Sequence, residues 1–137
     1  MALKIGINGF GRIGRMVLRS IIENNRKDIE VVAINNKSNS EVSSFLLQHD
    51  TIHGKLKAKI SHSDKAIEIN GKKINIINET EISKINWKKH EVDVVLECTG
   101  KFNTKEKSAQ HINSGAKKVL VSAPCKGAIN IIFGVNQ

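Results

Sequence analysis

Residues 9–14 read Gly9-Phe10-Gly11-Arg12-Ile13-Gly14, a G-x-G-x-x-G turn, and no other segment restricts the fold as much. Alone, such a pattern is weak; its flanks make it specific. Before it, Leu3, Ile5 and Ile7 alternate with Lys4, Gly6 and Asn8, the period of a strand. After it, Ile13, Met16, Val17 and Ile21 recur at three- and four-residue steps as a helical stripe, closed by Asn24 and Asn25. Ile29 to Ile34 is then a short apolar run rich in β-branched residues, as a buried parallel strand should be. Strand, turn, helix and strand make a βαβ unit, the context in which this turn cradles phosphates. Gly9 permits the tight turn, Gly11 lets the backbone approach a pyrophosphate, and Gly14 lets the helix pack closely on the strand. The N–H groups that open the helix, with its partial positive charge, supply the anion site.

The same rhythm returns further on. Ser40 is expected to cap a second helix whose inner face carries Val42, Phe45 and Leu46. An antiparallel insert follows. Lys55 to Ile60 alternates, and Ile67 and Ile69 lead through Asn70-Gly71 into Ile74 and Ile76, a strong hairpin signal because both turn residues accept positive φ. Val92 to Leu96 reads as a strand, Thr104 to Ser114 as a helix stopped by Gly115, and Val119 to Val121 as a strand. Ile131 to Val135 reads as one more. The expected architecture is α/β, a Rossmann-type doubly wound, mostly parallel sheet with a β-hairpin insert. The chain ends at Gln137 with no closing helix, the ending expected of a fragment.

Composition narrows the partners. The 137 residues fit one domain, and 39% are hydrophobic, enough for a core. No apolar run approaches bilayer length, and the N-terminus lacks a signal peptide's pattern, so a cytoplasmic, membrane-free protein is expected. The formal charge is +9. That favours anionic ligands, but the lysines are scattered from Lys4 to Lys126, and four Phe, one Trp and no Tyr make a poor platform for stacking bases. Nucleic acid is therefore not the expected partner. His49 and His53 flank Asp50 but lack a third fixed metal ligand, and the expectation is a structured loop. Cys98 reads as a small core residue. Cys125 follows Pro124 with no motif placing a histidine beside it, and is not assigned as a nucleophile.

With these segments assembled, Ile7-Asn8-Gly9-Phe10-Gly11-Arg12-Ile13-Gly14-Arg15 resembles the opening signature of the glyceraldehyde-3-phosphate dehydrogenases. Val32-Ala33-Ile34-Asn35, His49-Asp50-Thr51-Ile52-His53-Gly54-Lys55, Glu97-Cys98-Thr99-Gly100-Lys101-Phe102, Gly115-Ala116-Lys117-Lys118-Val119 and Ser122-Ala123-Pro124 continue the resemblance in order along the whole chain. The resemblance implies a phosphorylating aldehyde oxidation, glyceraldehyde 3-phosphate plus phosphate and NAD(P) to 1,3-bisphosphoglycerate, in glycolysis and gluconeogenesis. It implies residues 1–137 as the NAD(P)-binding domain, a catalytic domain beyond them, and a homotetramer for the full-length protein. The reacting cysteine lies in a Ser-x-x-Ser-Cys-Thr-Thr-Asn-like motif that this chain does not reach, so no catalytic residue is assigned and the chain alone is expected inactive.

The implied cofactor residues fall in three groups. Asn8, Gly9, Phe10, Gly11, Arg12, Ile13 and Gly14 form the first turn, with Arg12 and Ile13 along the pyrophosphate. Asn35, Asn36 and Lys37 end the second strand, with Asn36 toward the adenosine ribose. Thr99, Gly100, Phe102, Ser122 and Ala123 approach the nicotinamide side. Two positions depart from the family. Asn36 stands where most NAD-using members carry Asp, so NAD is expected with NADP admitted; Asn36 either relaxes that choice or does the carboxylate's work with weaker selectivity. By the resemblance, Thr80 aligns where many carry Arg. Two alternatives stay open: an erythrose-4-phosphate dehydrogenase, and a stand-alone nucleotide-binding module.

Overall fold

Ile5 and Ile7 must leave water on one side of their strand while Gly6 faces the other, and the molecule satisfies both with a sheet covered on two faces. The computed structural model describes residues 1–137. In chain order it contains β1 (Leu3–Asn8), α1 (Arg12–Glu23), β2 (Ile29–Asn35), α2 (Ser40–Gln48), β3 (His49–Asp50) and β4 (Gly54–Lys55). There follow β5 (Ile60–Ser63), β6 (Ala66–Ile69), β7 (Lys72–Ile77), β8 (Val94–Glu97), α3 (Lys105–Ser108), α4 (Gln110–Asn113) and β9 (Lys118–Val121). Seven strands form one sheet in the order β5-β6-β7-β2-β1-β8-β9. From β7 to β9 the pairing is parallel; β5, β6 and β7 are antiparallel to one another. The expected doubly wound sheet is present, and the hairpin insert extends it. Asn70 and Gly71 turn the hairpin with φ of 51° and 82°.

One core gathers Ile5, Ile7, Phe10, Leu18, Ile34 and Leu47 with the insert's Ile67, Ile69, Ile74 and Ile76. The other holds Ala33, Ile85, Trp87, Val92, Val95 and Ala116. A bulge in the β1–β2 pairing after Ile5 puts Val31 and Ile34, three apart, in the same core.

Several local expectations are corrected. In α1 the inward residues are Gly14, Leu18 and Arg19, while Ile13 is 51% exposed. A Cβ on Gly14 would sit 2.3 Å from the Gly9 carbonyl oxygen, so the helix turns its glycine to the strand and Ile13 outward. In α2 the cap is Asn39, whose Oδ1 accepts from Val42 N, while Ser40 donates to the Ser63 carbonyl. Its inner face is Ser40, Ser43, Ser44 and Leu47, and Val42, Phe45 and Leu46 are exposed. Small hydroxyl residues let α2 lie close to the insert, and Ser40 bonds the insert's backbone. Lys55 ends β4 and Ile60 begins β5, with Leu56 between them buried and its N–H bonded to Gln48 O, so the alternation there is not one strand. The strand expected from Val92 starts instead at Val94, as β8, because Val92 packs beside Trp87. The expected helix 104–114 is split at Ala109, with Thr104 as its cap and Gly115 at φ 104° as its stop. Ile131 to Val135 is no strand: Gly134 at φ 81° turns it, and Asn136 Oδ1 accepts from Ile132 N.

Gly6 is fixed by packing alone. A Cβ there would lie 2.7 Å from the ring of Trp87, which is fully buried and has nowhere to move. Gly6→Ala is expected to cost about 1–3 kcal/mol by overpacking, read as a lowered midpoint in denaturant. An unchanged midpoint would show that the Trp87 side of the sheet is loosely packed.

Candidate functional site

The strand order reverses between β1 and β8, and open α/β sheets bind ligands in the crevice outside the strand ends at such a switch point. Four turns meet there: residues 9–14 after β1, Asn35–Asn36 after β2, residues 98–100 after β8 and residues 122–124 after β9.

The three glycines of the first turn have different reasons to be glycine. Gly9 has φ 92°, and a Cβ on it would lie 2.8 Å from Thr99 Cγ2 and 2.9 Å from Thr99 N. Gly14 is closed in by the Gly9 carbonyl. Gly11 has φ −82° and nothing within 4 Å of the place a Cβ would occupy. Neither conformation nor packing asks for glycine at position 11. Gly11 is also the N-cap of α1, with no side-chain cap and no acidic residue in the first turn. The opening N–H groups therefore face the open space that Gly11 leaves, and a phosphate group fits there.

Arg12 projects from this turn, half exposed, and its guanidinium pairs with Asp50 at the end of β3. The Asp50 carboxyl also accepts from the backbone N–H of Ile52 and His53 at 3.0 and 2.8 Å. These bonds, His53 first, outweigh burial and hold its pKa down at about 2. The His49–His53 segment is thus the end of β3 and a turn organised around Asp50. Phe10 is buried in the first core, so only its backbone faces the turn.

After β2, Asn36 is partly buried and its Nδ2 donates to Ser43 Oγ at 3.3 Å, which leaves Oδ1 as an acceptor; Lys37 is exposed. Asn35 is buried and otherwise engaged. Its Oδ1 accepts from Glu79 N at 2.9 Å and its Nδ2 donates to Glu79 O and Asn8 Oδ1. Asn8, also buried, donates from Nδ2 to Glu97 Oε2 at 2.6 Å. The side chains of Asn8 and Asn35 therefore build the crevice floor rather than its lining.

After β8, the Thr99 N–H and hydroxyl donate to Glu97 Oε1 at 2.8 and 2.5 Å. Gly100 follows at φ 73°, and the Phe102 ring stands edge-on to His111. Ser122 is exposed beside Cys98, and Ala123 is half-buried. Burial pushes the Cys98 thiol up despite its hydrogen bond to Ser122, so it is a poor nucleophile. Cys125 is 5% exposed. Sequence reasoning missed Glu97, His111 and Trp87. Their only signal was a carboxylate ending an apolar strand; the partners are too distant in the chain to form a local pattern.

This fold and this turn define a dinucleotide-binding domain of the doubly wound class. Comparison with known proteins agrees and is more particular. The family model described as "Glyceraldehyde 3-phosphate dehydrogenase, NAD binding domain" matches residues 3–105. Among curated relatives, glyceraldehyde-3-phosphate dehydrogenase of Cereibacter sphaeroides is 47% identical over 138 residues, covering 100% of this chain and 41% of the relative. The Geobacillus stearothermophilus enzyme of the same name is 45% identical with the same coverage, and that of Thermotoga maritima is 42% identical over 98% of this chain and 40% of its own length. The chain belongs to the glyceraldehyde-3-phosphate dehydrogenase family, as its NAD-binding domain. It spans about 41% of the relatives it matches.

Because the Asp50 pKa is lowered on folding, the stability it contributes is present above its unfolded value near 3.8 and is lost as pH falls toward 2. In an NMR titration, Arg12→Ala should raise the Asp50 midpoint while leaving it below 3.8, since the His53 and Ile52 N–H groups remain. A midpoint that ignores Arg12→Ala would mean the ion pair does not form in solution.

Proposed function

We propose that residues 1–137 are the NAD(P)-binding part of a phosphorylating glyceraldehyde-3-phosphate dehydrogenase acting in glycolysis and gluconeogenesis. The observation that carries this is Gly11, a glycine that the protein itself does not need, set at an uncapped helix N-terminus on the switch point. The cofactor, when bound, accepts hydride from the substrate. The chain's own residues bind and orient it. The N–H groups from Gly11 to Gly14 hold the pyrophosphate, with Arg12 and Ile13 beside it. Asn36 accepts from the adenosine ribose, and Lys37 lies near. Thr99, Gly100, Phe102, Ser122 and Ala123 bound the other half, and Asn8 and Asn35 support the crevice from below.

The reacting cysteine and its histidine are assigned to the part of the relatives' length outside these residues. A second domain is supported by the apolar surface that α4, β9 and the last residues leave open, a groove of about 720 Å³ lined by Ile112, Leu120, Ile131 and Ile132 among others. By likeness to the family, the whole protein is a cytoplasmic homotetramer. No helix here is long and apolar enough to cross a membrane.

Gly11→Ala should leave thermal stability unchanged and weaken NAD binding by at least about tenfold, or about 1.4 kcal/mol. Equal binding by wild type and variant in a calorimetric titration would sink the phosphate-site reading.

Cofactor choice is a second expectation. A carboxylate at position 36 would bind ribose hydroxyls and repel a 2′-phosphate; Asn36 keeps part of the first effect and loses the second. An exposed Lys37 adds only about 0–1 kcal/mol. NAD and NADP affinities are expected within about tenfold of each other. Asn36→Asp should lower NADP binding more than NAD binding. Rejection of NADP by several hundredfold in the native chain would place the determinant elsewhere.

A further inference from the structure

A charged side chain is buried in the middle of α1. Arg19 is 2% exposed, on the inward face beside Leu18, where an apolar residue would cost less. Its acidic partner is Glu23, half exposed and 3.3 Å away. The rest of its surroundings is backbone. Nη1 donates to the carbonyls of Gly54 at 3.0 Å and Leu47 at 3.3 Å, and Nη2 to that of His53 at 3.4 Å. Leu47 lies in the last turn of α2, and His53 and Gly54 carry the chain from the β3–β4 turn into β4.

That turn reaches back to the phosphate site. The His53 and Ile52 N–H groups donate to Asp50, and Asp50 accepts from Arg12, the first residue of α1. Arg12 and Arg19 lie seven residues apart on α1, about 10 Å along its axis, and hold the same turn from two points. Arg12 holds it by a carboxylate and Arg19 by carbonyls. Arg19 fixes the backbone at His53 and Gly54, that backbone fixes Asp50, and Asp50 holds Arg12. A lysine at position 19 would keep the charge, but it has no planar fork to meet the carbonyls of two elements at once.

We infer that Arg19 is a positioning residue for the cofactor: it holds the β3–β4 turn so that Asp50 pins Arg12, and with it the first turn of α1, at the phosphate site. The inference rests on the cofactor-binding reading above. Arg19 is buried under the turn and acts only through it.

The test is calorimetric titration with NAD of the wild-type chain, Arg19→Lys, Arg12→Ala and the double variant. Each single variant is expected to weaken NAD binding about fivefold or more. The double variant should bind within about twofold of Arg12→Ala alone, because the tie from Arg19 reaches the site only through Arg12. By NMR, the Asp50 midpoint should rise in Arg19→Lys. Either single variant binding NAD like wild type, or losses that multiply in the double variant as general loosening would give, overturns the inference while leaving cofactor binding intact. So does an Asp50 midpoint that ignores Arg19→Lys. Wild type failing to bind NAD overturns both readings. If Arg19→Lys does not fold, the reciprocal effect in wild type decides. A turn that aids NAD binding must be held more firmly by NAD, so the Arg19 guanidinium protons should exchange more slowly in the complex. Exchange that NAD does not slow overturns the inference.

Discussion

A single close contact organises this domain: α1 meets β1 with Gly14 against the carbonyl of Gly9, where not even a methyl group fits. That approach fixes the rotation of α1, aims its first N–H groups across the strand ends, and turns Ile13 toward solvent. It also draws the first turn against the β8 turn, since Gly9 in its turn has no room beside Thr99. The crevice is therefore shaped by backbone proximity, and side chains refine it. Within the first turn, packing requires glycine at positions 9 and 14, while position 11 opens onto free space.

The two faces of the sheet divide the work. The face bearing Ile5 and Ile7 carries the larger core, with α1 and α2. The face bearing Gly6 is filled by Trp87 and its neighbours and, at the strand ends, changes from apolar to polar. There Asn8, Asn35, Glu97 and His111 are buried together and satisfy one another. Burying a carboxylate is expensive unless every lone-pair direction is used. Burial alone would raise the pKa of Glu97, but the bonds from His111, Thr99 and Asn8 outweigh it and hold the group below its ordinary value. The charge is sustained by the donors that converge on its two oxygens.

Much of this was legible in the residues and some was not, for physical reasons. The βαβ unit, the parallel core and the Asn70-Gly71 hairpin follow from periodicity and turn chemistry, which act over a few residues. Hydrophobicity does not mark the inner face of α2, because the small Ser40, Ser43 and Ser44 lie inward and permit close approach, with Ser40 bonding the insert's backbone. Ile131 to Val135 has the apolar content of a strand, but Gly134 and the Asn136 side chain, which accepts from Ile132 N and donates to Asn130 O, fold it back on itself. Glu97 lies 89 residues from Asn8 and 14 from His111, and no local pattern joins residues so far apart. Asn8 and Asn35 end β1 and β2, and their amides bond Glu97, Glu79 and each other, which a motif does not show because it locates a residue without saying which way its amide points.

Trp87 has one more consequence. It is the sole tryptophan, and the chain has no tyrosine, so ultraviolet emission comes from one indole. That indole is fully buried and joined to the crevice floor by a single hydrogen bond. The domain thus carries a native optical label whose colour and lifetime follow the hydration of one ring, without any dye or engineered probe.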